Sequence, residues 1–72
     1  MWHGPAGLLS VHCDGRIVRL ESATPANGYG VEVEHNGTRE LEAKFESSTR
    51  EVRVNVTCVD GKPAFSVEND GD

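Results

Sequence analysis

Apolar and polar residues alternate most regularly at residues 51–59. Val52, Val54, Val56 and Cys58 fall on one face of an extended chain, and Glu51, Arg53, Asn55 and Thr57 on the other. A period of two carried by β-branched residues is the mark of a half-buried strand. The same period recurs along the chain. Leu9, Val11 and Cys13 alternate with Ser10 and His12, Asp14-Gly15 reads as a two-residue hairpin turn, and Val18 and Leu20 then alternate with Arg19 and Glu21. Ile17 breaks the pattern. Tyr29, Val31, Val33 and His35 form another inward set, followed by a second hairpin signal, Asn36-Gly37. Leu41, Ala43 and Phe45 then oppose Glu40, Glu42, Lys44 and Glu46. Residues 47–50 make a polar turn into the 51–59 strand. Asp60-Gly61 turns the chain again, and Phe65 and Val67 are the inward pair of a last strand, in which Pro63 marks an edge or a strand start.

About six short strands with regularly spaced turns predict an all-β domain. The expected form is a small antiparallel β-sandwich, immunoglobulin-like or a partly open barrel. No segment carries a convincing 3.6-residue period. Residues 8–68 make the domain, 1–7 a loose lead-in rich in Gly and Pro, and 69–72 an acidic tail. Between the second and third strands, residues 23–28 hold Thr24, Pro25, Asn27 and Gly28, and are expected to carry the chain from one sheet to the other.

The two cysteines, Cys13 and Cys58, each end an alternating run, and each is closely followed by a Gly-containing turn and a basic residue. A 72-residue chain buries a small core and gains from a staple. A Cys13–Cys58 bridge would supply one, contributing roughly 4 kcal/mol on the chain-entropy model. The alternative is a pair of buried free thiols. The spacing is not that of a zinc site.

Twelve acidic residues against seven basic give a net charge of −5. That disfavours nucleic acid and anionic membranes as partners. No apolar run approaches the ~18 residues a spanning helix needs. Residues 1–7 lack the basic and apolar regions of a secretion signal, so export would imply that a signal had been removed.

Candidate chemistry is sparse. Met1, Trp2 and His3 with a free amine could offer four nitrogens to copper(II) or nickel(II), which makes His3 a weak metal candidate. His12 and His35 sit on different strands and read as surface and rim residues. The glutamates of the exposed faces alternate with Arg39, Lys44, Arg50 and Arg53, and read as cross-strand ion pairs on a solvated sheet face. No catalytic residue and no cofactor are expected.

With its cysteines and its Leu20-Glu21-Ser22-Ala23-Thr24-Pro25-Ala26-Asn27-Gly28-Tyr29 stretch, the chain resembles small C-terminal extracytoplasmic domains of actinobacterial membrane-anchored or secreted proteins. The likeness spans about residues 8–69. It implies an exported, monomeric, non-catalytic interaction domain of a cell-envelope protein that contacts protein or cell-wall polymer, in the cell envelope or outside the cell. The alternative is a secreted inhibitor of a protease or glycosidase, presenting Thr24, Pro25, Ala26, Asn27, Gly28 and Tyr29 as a rigid loop.

Overall fold

The computed structural model describes residues 1–71, and the side chains of residues 1–69. Its strands, in chain order, are β1 (Trp2–Gly4), β2 (Gly7–Asp14), β3 (Ile17–Pro25), β4 (Gly30–Glu34), β5 (Glu40–Glu46), β6 (Arg50–Val59) and β7 (Lys62–Gly71). They form two antiparallel sheets, β1-β2-β3 and β4-β5-β6-β7, packed against each other without closing into a barrel. Of the two expected forms, the sandwich is the one found. Each sheet is a meander whose strands follow chain order, whereas an immunoglobulin-like topology would interleave them between the sheets.

The alternation read from the sequence decides which side chains fill the sandwich. Leu9, Val11 and Val18 come from the smaller sheet, and Leu41, Ala43, Phe45, Val52, Val54 and Val56 from the larger; all are buried. Register places them in rows: Leu41 opposite Val56, Ala43 opposite Val54, Phe45 opposite Val52. Phe45 is the largest side chain with no exposure, and Trp2 stacks near it with ring centroids 5.4 Å apart. The smaller sheet leaves the flanks of the larger one uncovered. Val31 and Val33 on β4 and Phe65 on β7 are therefore only half-buried, and Val67 is 41% exposed.

Two devices join the sheets. The Cys13–Cys58 disulfide links β2 to β6 with Cα atoms 5.8 Å apart. On the other side, the β4–β5 loop docks along the free edge of β3. The Val18 N–H donates to Thr38 O at 2.8 Å, the Gly37 N–H to Val18 O at 2.9 Å, and the Leu20 N–H to Asn36 Oδ1 at 2.8 Å. Covering an exposed strand edge in this way removes a template for unwanted pairing.

The structure corrects several details of the reading. The lead-in expected to be loose holds β1, which pairs with β2 in the register Trp2–Leu9, His3–Leu8 and Gly4–Gly7. Burial of Trp2 against Phe45, with Ala6 enclosed behind it, makes that strand worthwhile despite its Gly and Pro neighbours. The tail expected to fray is the end of β7, paired with β6 as far as Gly71; Asp72 lies outside the described residues. The first hairpin closes on Asp14–Ile17, so its loop is Gly15-Arg16 rather than Asp14-Gly15. Gly15, at φ 62°, takes the first loop position, the one a type II′ turn reserves for glycine. Asp60 and Gly61 both have positive φ, as a type I′ turn requires. Asn36-Gly37 makes no tight hairpin; it lies in the loop that docks on β3. Finally, β3 bulges. Ser10 pairs with Ser22 and Val11 with Leu20, leaving Glu21 as the extra residue.

Candidate functional site

The predicted loop is smaller than the sequence suggested. Thr24 and Pro25 belong to β3, paired with Leu8 and Gly7. The Ala26 N–H donates to Ala6 O at 2.9 Å, and the Tyr29 N–H returns to Ala26 O at 3.0 Å. Tyr29 is half-buried and packs against the core. Only Asn27 and Gly28 stand clear in the turn. The structure does bring the first half of this stretch together with His3. A shallow depression of about 260 Å³ is lined by His3, Gly7, Leu8, Thr24, Pro25 and Ala26. His3 is held there on β1 by pairing with Leu8. A square-planar chelate would need residues 1–3 curled around the ion, which would unpair β1 and lift Trp2 from Phe45. Among the described residues, no group of three or more His, Cys, Asp or Glu side chains is placed to hold a metal ion.

At the disulfide end, the tips of two hairpins flank an open groove of about 410 Å³ lined by Gly15, Arg16, Cys58, Val59, Asp60 and Gly61. Cys13 and Cys58 stand at equivalent places, each two residues before its turn's first loop position. The bridge thus fixes the distance between two turns. Val59 beside it is 56% exposed.

One cluster of chemistry-bearing side chains was invisible in the sequence. The β3 bulge aims Glu21 between two residues of β2: Ser10 Oγ donates to Glu21 Oε1 at 2.9 Å, and His12 Nδ1 lies 3.4 Å from Glu21 Oε2. Ser, His and a carboxylate are the parts of a nucleophilic relay, but their order is wrong. In a working triad the imidazole stands between serine and carboxylate. Here the carboxylate stands between them, so the serine proton points at Glu21 and His12 cannot accept it. These contacts tie the bulged residue to β2.

The outer face of the larger sheet is acid-rich. One row runs Glu32, Lys44, Arg53, Glu68 across β4 to β7. On either side, glutamates oppose each other directly, Glu34 with Glu42 and Glu46 with Glu51. Lys44 lies 3.5 Å from Glu32, and Arg53 Nε 2.8 Å from Glu51. The carboxylate of Glu32, then that of Glu46, raises the Lys44 pKa above its ordinary 10.5, with a smaller part from Glu51. The expected cross-strand ion pairs are present, and so is a surplus of negative charge. A scan against protein-family models finds no family that matches this chain, and searches of curated proteins and of solved structures find no match either.

Proposed function

We propose that this chain is a non-catalytic extracytoplasmic interaction domain of a cell-envelope protein, which binds protein or cell-wall polymer through its rigid surface. The observation that carries the reading is the Cys13–Cys58 bridge between the two sheets. Such bridges persist in oxidising compartments and staple small exported domains that have little core. The likeness to extracytoplasmic actinobacterial domains points the same way. The acid-rich face of the larger sheet suits a basic protein surface better than an anionic polymer. The inhibitor reading has less support, because Ala23, Thr24 and Pro25 belong to β3 and only Asn27 and Gly28 stand clear in a short turn.

The test has two arms. Thiol labelling of the protein taken from intact cells should find both cysteines oxidised; free thiols at Cys13 and Cys58 would remove the exported part of the proposal. The purified domain should be retained by envelope proteins or by isolated cell walls, and lose retention when unfolded. Equal recovery from walls, envelope proteins and an inert resin would remove the interaction part.

A further inference from the structure

The outer edge of β7 is the longest open strand edge among the described residues. β1 is three residues long and β4 five, and the 36–38 loop takes up the edge of β3 at Val18 and Leu20. β7 runs for ten residues at the end of its sheet, and among the described residues no strand pairs with its outer side. The hairpin determines which groups point outward. The Asp60-Gly61 turn closes on the Val59–Lys62 pair, so Lys62 and the even-numbered positions after it bond to β6. Pro63, Phe65, Val67 and Asn69 direct their backbone groups to the open edge. Pro63 agrees with this parity, since the donor it lacks is one the β6 ladder does not use. The side chains of Phe65 and Val67 lie on the uncovered flank of the inner face, the first half-buried and the second exposed.

We propose that this edge pairs with β7 of a second copy, antiparallel about a two-fold axis at Ser66, making one sheet of both four-stranded sheets. The strand is complementary to itself in that register. Phe65 stands opposite Val67 of the second copy and exchanges backbone hydrogen bonds with it. Ser66 stands opposite Ser66, and Lys62 lies diagonally across from Glu68 of the neighbouring strand. Other registers lose the Phe65–Val67 match. Centred on Val67, the pairing sets Phe65 against Asn69 and carries Lys62 past the end of the strand. Centred on Phe65, it keeps Lys62 opposite Glu68 but sets Phe65 against itself and brings Pro63, which has no donor, one pair closer to the centre, against Val67 instead of Asn69. A single strand pairing buries less than the ~1,200 Å² of a standard interface, so the dimer is weak and depends on concentration.

Sedimentation equilibrium over roughly 10 µM to 1 mM should show a monomer–dimer equilibrium. Val67→Pro removes an outward N–H and no hydrogen bond within the chain. It should raise the dissociation constant about tenfold or more while leaving the melting curve of the dilute protein nearly unchanged. Ser66→Cys provides a second test, because residues facing each other across a non-hydrogen-bonded pair lie within disulfide reach. Mild oxidation should yield a covalent dimer joined at position 66 with the Cys13–Cys58 bridge intact. A wild type that stays monomeric throughout the range, a Val67→Pro variant that dimerises as tightly as wild type, or a Ser66→Cys variant that does not crosslink would each overturn the proposal.

Discussion

Gly7 is where a single atom is worth most. It opens β2 with φ 152°, a conformation L side chains rarely adopt. A Cβ built there would collide with the Thr24 carbonyl oxygen and come 2.8 Å from Cε1 of Phe45. The neighbours are backbone and a fully buried ring, so neither can yield cheaply. Gly7→Ala should cost about 2–4 kcal/mol, and chemical denaturation should show the midpoint falling with an unchanged slope. Lys44 offers a milder test. Its raised pKa means the folded chain holds that proton more tightly than the unfolded chain does, chiefly through Glu32 and then Glu46. The contribution is therefore full below the ordinary lysine value of 10.5 and is lost as pH rises through the raised folded value. An NMR titration should place the Lys44 midpoint above 10.5, and Glu32→Gln should lower it. A midpoint unmoved by Glu32→Gln would show that the pair does not persist in solution.

At the level of strands, stability rests on how the two sheets are tied. Replacing Cys13 and Cys58 together by alanine should cost about 2–4 kcal/mol, with the chain-entropy figure at the upper end. For a domain of this size that lowers the melting temperature by roughly 10–30 °C. The opposite tie is weaker and local. Asn36→Ala removes the acceptor of the Leu20 N–H and should cost about 1 kcal/mol. Hydrogen exchange should quicken at Leu20 while the amides of β6 keep their protection. These ties also mark where the sequence could be read and where it could not. Faces were legible wherever strands were half-buried, because burial of Val52, Val54 and Val56 against Leu41, Ala43 and Phe45 imposes the period of two. The bridge was legible because both cysteines belong to such faces. β1 was hidden because Trp2-His3-Gly4 has no period to show; its pairing follows from a long-range contact with Phe45. The Asn36-Gly37 dipeptide misled for a similar reason. Its local preference is a tight hairpin, but docking on β3 satisfies backbone groups that a tight turn would leave exposed. The Ser10–Glu21–His12 cluster could not be read at all, since it exists only because the bulge displaces Glu21.

The whole molecule measures 36 × 18 × 18 Å and carries a net charge of −5. Its short dimensions are smaller than the ~30 Å Debye length of a 10 mM salt solution, so under those conditions charges act on one another across most of the molecule. Two effects then compete. The pairs Lys44–Glu32 and Arg53–Glu51 favour the folded state, but solvent screens ion pairs at a surface and leaves each worth little. Against them stand the directly opposed glutamates, Glu34 with Glu42 and Glu46 with Glu51, and the general repulsion of an acidic chain made compact. The repulsion of a net charge of −5 is longer in range than the pairwise contacts, so screening should stabilise this protein. Thermal melts should move up by a few degrees between about 10 mM and 0.5 M sodium chloride, where the Debye length falls below ~5 Å. Glu42→Gln should raise the low-salt melting temperature, by an amount corresponding to about 0.2–1 kcal/mol, and flatten the salt dependence. Lys44→Gln should lower it and steepen that dependence. If salt instead lowers the melting temperature of the wild type, the ion pairs outweigh the repulsion and this ranking of the forces on the acidic face is wrong.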